Sequence, residues 1–299
     1  MLEKSVYIWM AGGLGNQLFQ YAAGFAVARR LNCSLKLDLS RFEKGKEKRQ
    51  FGLSRLGFPL QIATKEELKS WRPIYRLPKW VMLQWGTPNA VYPKRVFFER
   101  DKFYEKDIKK IEAPIYLRGY FQSEKYFFDY GDEIRSLVQL EKVNSSHIQN
   151  ILREIGKSQT VSVHFRLGDY VAGPTSYKFK GSCTPDYYLR AMALVRKIMP
   201  ECQFLVFSDD LDQARKILPF DSRIMYVPGD PENPIEDLIL MSRCHHHIIA
   251  NSSFSWWGAW LNPNPEKVVI GPRRWLSREY LRKWDLYDIL PTDWITLDS

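Results

Sequence analysis

Histidine, arginine and aspartate stand close together in VSVHFRLGDY, residues 161–170. Val161, Val163 and Phe165 alternate with Ser162, His164 and Arg166, the period of a strand with one buried face. His164 and Arg166 therefore share a face at the strand's end. An arginine fork can make two parallel bonds to a diphosphate. A neutral histidine could bond a base or a sugar. Asp169 could accept a hydroxyl proton, or simply hold Arg166 in an ion pair.

Three more polar groups sit where strands should end. GGLGNQ (12–17) is a glycine turn ahead of a helix, whose free N–H groups and positive dipole end suit a phosphate. A bare tight turn is the plainer alternative. Asp38 follows at dinucleotide-fingerprint distance, but Leu18 fills the third glycine position, so NAD binding has little support. SDD (208–210) runs into DLD, which could pass for a metal-binding D-x-D. A helix starts there at once, so capping accounts for one acid without a metal. In NSSFSWWGAWL (251–261), Ser252 or Ser253 caps a helix that again offers N–H groups to phosphate. Its tryptophans, at helical spacing, read as packing rather than sugar stacking. CHHH (244–247) lacks a second ligand group at metal-site spacing, so its histidines read as structural. Two helix N-termini, an arginine and few metal ligands make a site for a diphosphate leaving group.

The elements that would position these groups alternate. SVYIW (5–9), the helical stripe of 16–31 and SLKLDL (34–39) open an α/β domain. Residues 41–115, rich in Pro and Trp, read as short helices and loops. A strand follows in 113–127, then helical structure toward 155. Beyond it, strands at TVSVHFR, QFLVFSDD, RIMYVPG, HHIIANSS and KVVIGP alternate with helices at 184–199, LDQARKIL, PIEDLILMSRC and SFSWWGAWLN. That order implies a doubly wound parallel sheet, whose ligands bind beyond the carboxyl ends of the strands. A boundary is expected near 155, at REIGKSQ.

Bulk properties agree. The chain has 299 residues, 45% hydrophobic, with net charge +10, which favours phosphates or an anionic membrane surface. Nothing resembles a nucleic-acid-binding module. The four cysteines form no C-x-x-C pair, as in a reducing compartment. No signal peptide and no run near the ~18 apolar residues of a membrane span are legible. The expected location is cytoplasmic, with peripheral membrane contact through the basic, Trp-rich segments.

GGLGNQLFQYA, HFRLGDY, FSDD and LILMSRCHHHIIANSSFSWWGAWLNPNPEKVVI closely resemble motifs of the bacterial and animal α-1,2-fucosyltransferases, a glycosyltransferase family 11-like group. The resemblance covers nearly the whole chain, the Pro/Trp-rich middle of the first half excepted. It implies a GT-B-like α/β fold, with two Rossmann-like lobes and a donor-binding cleft between them. Residues 1–155 would form the acceptor-side lobe with its Gly-rich loop, and 156–299 the GDP-sugar lobe with a C-terminal helical tail. It implies GDP-β-L-fucose as donor, inversion at the sugar carbon, no required cofactor or metal, and a galactose-terminated oligosaccharide or glycolipid such as O-antigen as acceptor.

The same resemblance implies roles. Arg166 would hold the diphosphate, with His164 near the nucleotide and Asp237 facing guanine. Ser252, Ser253 and Phe254 would lie against the phosphates, and Gly13, Gly15, Asn16 and Gln17 would close over the donor. Apart from the resemblance, the strand-end residues Ser208, Asp209 and Asn251 are expected in the donor-binding set, and Asp169, placed to accept a hydroxyl proton, is the candidate catalytic base beside Arg166. One departure stands out: Leu167 occupies the second arginine of His-x-Arg-Arg-Gly-Asp. Alternation turns residue 167 away from Arg166, so the loss should be tolerated. The competing classes are another GDP-sugar-dependent glycosyltransferase, a non-catalytic carbohydrate-binding protein and an NAD-dependent oxidoreductase.

Overall fold

The computed structural model describes residues 4–45, 47, 49–71, 96–100, 104–138, 146–166, 183–230, 233–275 and 288–299. The chain divides into two compact units, 1–138 and 139–299.

The first unit holds a parallel sheet of β1 (Ser5–Trp9), β2 (Ser34–Asp38), β3 (Val96–Phe98) and β4 (Ile115–Arg118). Their order is β2-β1-β4-β3. Helix α1 (Leu14–Arg30) joins β1 to β2. Its last-turn Arg29 and Arg30 complement the helix dipole. A Cβ on Gly24 would stand 2.8 Å from Leu35 Cδ1, so glycine lets α1 lie close on the sheet. Strand β3 is too short for periodicity to reveal, and it falls in the stretch read as loops.

The second unit is a six-stranded parallel sheet. Its strands are β5 (Thr160–Phe165), β6 (Gln203–Ser208), β7 (Ile224–Tyr226), β8 (His246–Ile248), β9 (Val269–Pro272) and β10 (Ile295–Leu297). They lie in the order β10-β9-β8-β5-β6-β7. This is the doubly wound order read from the far edge: the chain steps outward from β5 to β7, then returns to β5's other side with β8.

Among the described residues, five helices accompany these strands: α2 (Ser146–Ile155), α3 (Pro185–Ile198), α4 (Leu211–Ile217), α5 (Ile235–Arg243) and α6 (Ser253–Trp260). On one face, Val161, Val163, Phe165, Phe204 and Val206 pack with α3 residues Tyr187, Tyr188 and Met192. On the other, Leu205 and Phe207 pack with Ile148, Ile151 and Ile155 of α2 and Leu240 and Met241 of α5. That contact explains why the division falls at Val138 rather than at 155: α2 gives its apolar stripe to the second sheet.

Two sequence expectations change here. β5 was expected to bury one face, yet all six of its residues are buried, because it is the central strand of a parallel sheet covered on both sides. Two of its polar residues are matched by histidines: Thr160 Oγ1 lies 2.9 Å from His245 Nδ1, and Ser162 Oγ 2.8 Å from His247 Nδ1. The chain also returns to the sheet at β10, a three-residue strand without a legible pattern. The expected C-terminal helical tail lies largely outside the described residues.

Candidate functional site

In the second sheet, β5 and β8 are neighbours from which the chain leaves in opposite directions. Ligands of doubly wound sheets bind beyond the carboxyl ends of such strands. His164 and Arg166 stand at that end of β5, and Asn251 to Phe254 follow β8 into α6.

Ser252 caps α6: its backbone is extended and its Oγ accepts the Phe254 N–H at 3.3 Å. The Ser255 hydroxyl donates to the Ser252 carbonyl at 3.3 Å, which tightens this first turn. Arg166 Nη1 reaches Ser252 Oγ at 3.4 Å, a long bond that brings the guanidinium to the helix N-terminus. Positive fields from the side chain and the helix end thus converge. Below Arg166, Tyr188 stacks on Phe165 with ring centroids 3.8 Å apart and steadies the strand end.

His164 is the informative member. It is 8% exposed, its ring centroid lies 5.9 Å from that of Phe254, and its Nδ1 is buried with no hydrogen-bond partner among the described residues. Burial, and then the neighbouring Arg166 charge, push its pKa down to about 3, so the ring is neutral. An unmade buried hydrogen bond is costly, and a ligand group at this strand end would supply the missing partner.

Other expected residues have visible tasks. Ser208 Oγ accepts the Asp210 N–H at 3.0 Å, and Asp210 caps α4 by accepting the Gln213 N–H at 3.0 Å. Capping thus accounts for the second acid of SDD. Asp209 is exposed beside them. Asn251 donates to the Trp275 carbonyl at 3.3 Å and takes a weak bond from the Cys183 thiol at 3.8 Å. Asp237, in the first turn of α5, lies against the loop after β7: a Cβ on Gly229 would sit 2.6 Å from its Oδ2. Sequence reading passed over Gly229, and only this close approach reveals its use. Asp169 and Leu167 lie outside the described residues.

In the first unit, the glycine turn sits where β1 ends, at that sheet's own change of direction. Gly12 has φ +79, a left-handed conformation suited to glycine. Gln17 is fully buried and donates to the Gly12 and Gln50 carbonyls at 2.8 and 2.9 Å, while accepting the Gly52 N–H at 2.9 Å. Gln20, also fully buried, accepts the Ala11 N–H at 3.0 Å and donates to the Gly119 carbonyl at 3.1 Å. These two amides, one helical turn apart, fix the backbone of the turn. Gln20 went unnoticed in the sequence, although a glutamine three residues from another on an apolar helix face is a usable signal. Asn16 accepts a bond from Gln122 at 2.8 Å. Gly13, at the N-cap, and Gly15 complete the turn.

Two alternative chemistries lose ground. Asp38 is buried, accepting the Tyr116 hydroxyl at 2.6 Å and the Ser40 N–H at 2.9 Å, so the acid that mimicked a dinucleotide ligand is structural. The histidine run is structural as well. His247 lies 2.8 Å from both Ser162 Oγ and Asn262 Nδ2, and His246 Nδ1 accepts the Val268 N–H at 3.0 Å. Among the described residues no group of three or more His, Cys, Asp or Glu could hold a metal ion, and no helix is long and apolar enough to cross a membrane.

Comparison with known proteins identifies the family. The model of "Glycosyl transferase family 11" matches residues 97–298. The chain is 31% identical over 302 residues to an α-1,2-colitosyltransferase of Escherichia coli, covering 97% of this chain and 98% of that one. It is 34% identical over 292 residues to the O-antigen biosynthesis glycosyltransferase WbnK of Escherichia coli, covering 91% and 95%. Among solved structures, a mutant of Arabidopsis thaliana FUT1 in complex with GDP superposes with a TM-score of 0.52 at 12% identity, over 89% of this chain and 70% of that one. That likeness bears on fold, and it matches the two Rossmann-like units.

Proposed function

The chain belongs to glycosyl transferase family 11, and from that premise we propose that it moves L-fucose from GDP-β-L-fucose to the 2-hydroxyl of a terminal β-galactose. The acceptor would be a glycan such as O-antigen, a reading supported by the O-antigen relative. The observation that carries the donor half is His164: a buried, neutral ring with an unpartnered Nδ1, beside Arg166 and the N-terminus of α6.

In this reading Arg166 and the first turn of α6, from Ser252 to Phe254, hold the diphosphate. His164 Nδ1 bonds the nucleotide, and Asp237, set by Gly229, faces the guanine. Ser208, Asp209 and Asn251 border the donor, and Gly13, Gly15 and Asn16 contribute from the first unit, with Gln17 holding their backbone. The acceptor 2-hydroxyl oxygen bonds to the fucose C1 as the C1–oxygen bond to the β-phosphate breaks. The electron pair leaves on GDP, and the acceptor proton passes to Asp169. Negative charge grows on the departing phosphate, where Arg166 and the helix end counter it without reorganising.

The colitosyltransferase relative favours a second reading, in which the donor is GDP-colitose. Colitose is the 3-deoxy counterpart of L-fucose, so the two donors differ by one hydroxyl. A site that hydrogen-bonds that hydroxyl rejects the deoxy donor by about ten-thousandfold, whereas an apolar site separates them by about a hundredfold or less. The test compares kcat/KM for GDP-fucose, GDP-colitose and GDP-mannose with lactose as acceptor. Preference for GDP-fucose upholds the proposal, preference for GDP-colitose transfers it to the second reading, and use of GDP-mannose alone defeats both.

A further inference from the structure

Phe220 is the most exposed large hydrophobic side chain among the described residues, at 101%. It stands on the turn between α4 and β7, at the amino ends of the strands, opposite the candidate donor site. That turn is braced. The Asp221 carboxylate takes bonds from Arg196 and from the Arg223 N–H, the latter at 2.8 Å, and Arg223 Nη1 donates to the Pro200 carbonyl at 2.6 Å. The phenylalanine is therefore presented outward by a fixed loop, forgoing the free energy that burial of its ring would yield.

The surroundings say what it faces. The Arg196–Asp221 pair ties the turn to the end of α3, where Ile198 is 54% exposed. The last turns of α3 and α4 bring Lys197, Arg215 and Lys216 to the same edge, all exposed. None of these three pairs with a carboxylate among the described residues, and Arg215 is held in place over the Tyr226 ring at 4.0 Å. Basic residues at helix ends also complement the dipole, but that accounts for neither exposed apolar side chain. Phe128, the next most exposed at 69%, adjoins Asp129, whose carboxylate pairs with Lys109 at 4.0 Å.

We propose that this edge of the second unit docks on an anionic lipid bilayer. Phe220 and Ile198 enter the boundary between headgroups and acyl chains, and Lys197, Arg215 and Lys216 face the lipid phosphates. A six-residue strand such as β6 spans about 20 Å, so the candidate donor site lies at the far end of the same sheet, away from the lipid. The proposal does not depend on the transferase reading.

The test is flotation of the full chain with vesicles of phosphatidylethanolamine and phosphatidylglycerol, against vesicles of phosphatidylcholine. Binding to the anionic vesicles alone is expected, weakening as salt rises. Phe220→Asp and Lys216→Glu should each lower that binding by about tenfold while leaving circular dichroism and the melting temperature unchanged. Equal binding to phosphatidylcholine, no binding to either, or full binding by Phe220→Asp would overturn it. So would a sedimentation-detected dimer that Phe220→Asp dissolves, since the face would then belong to a second copy.

Discussion

Lowering the pH from 7.0 to 5.5 should destabilise this protein through histidines it holds neutral. The Asn262 amide fixes the tautomer of His247. Its Oδ1 accepts the Asn264 N–H at 2.9 Å and its Nδ2 donates to the Cys244 carbonyl at 2.6 Å, so Nδ2 also faces His247 Nε2 as a donor. His247 Nε2 must accept, and its Nδ1–H donates to Ser162 Oγ. Protonation would set N–H against N–H inside the sheet. Burial first, and then the Lys267 charge, hold the His247 pKa well below 6.5, while His164 is held near 3. With folded values depressed, the stabilisation is complete above the unfolded value of 6.5 and is lost as pH falls toward the folded values, because the unfolded chain binds the protons first. Between pH 7.0 and 5.5 a histidine kept neutral throughout contributes about 1.3 kcal/mol of loss, roughly 2.5 kcal/mol for His247 and His164, and His246, whose pKa burial also lowers, adds to it. Glu67 and Asp221, whose pKa values are lowered, add to this only below about pH 5. Urea unfolding at the two pH values measures the change. His247→Gln should be less stable at pH 7 and should show a clearly shallower pH dependence than the wild type. A variant with the wild-type pH slope would refute the assignment of the loss to His247.

Other perturbations separate contact from support. Arg166→Ala should abolish sugar transfer while leaving the melting temperature within about 2 °C, as calorimetry and a GDP-release assay would show together, because Arg166 is a partly exposed strand-end residue. Gly229→Ala would set a methyl group 2.6 Å from Asp237 Oδ2 and force that carboxylate aside. It should erode the preference for GDP over ADP by at least about tenfold in competition binding, and unchanged discrimination would remove Asp237 from the guanine site. Gln17→Leu strands the Gly12 and Gln50 carbonyls and the Gly52 N–H, and should cost about 3 kcal/mol in denaturant unfolding.

Much of this was legible in the sequence because it rested on local rules. Thr184 with Pro185 announced α3, and the alternation of Val161, Val163 and Phe165 announced β5. Capping chemistry placed the start of α6 at Ser252 or Ser253, and the structure selects Ser252. What escaped were features fixed by tertiary context. The three-residue strands β3 and β10 gain their identity from the neighbours that pair with them. The full burial of β5 depends on helices from both sides. The work of Gln17 and Gln20 is invisible until the segments at 50–52 and 119 arrive beside the glycine turn. The unpartnered His164 Nδ1 was likewise beyond pattern reading, since periodicity gave its face but not the lack of a partner there.

We propose that a GDP-sugar is bound and broken at the carboxyl ends of β5 and β8, with the sugar passed to a galactoside. It is tested most directly by measuring GDP release from GDP-fucose with and without lactose, in the presence and absence of EDTA. Lactose-dependent release that survives EDTA and disappears in Arg166→Ala is the expected result. Slow donor hydrolysis unaffected by lactose would keep the donor site but contradict the galactoside acceptor. An absence of both release and GDP binding in the folded protein would contradict the account as a whole.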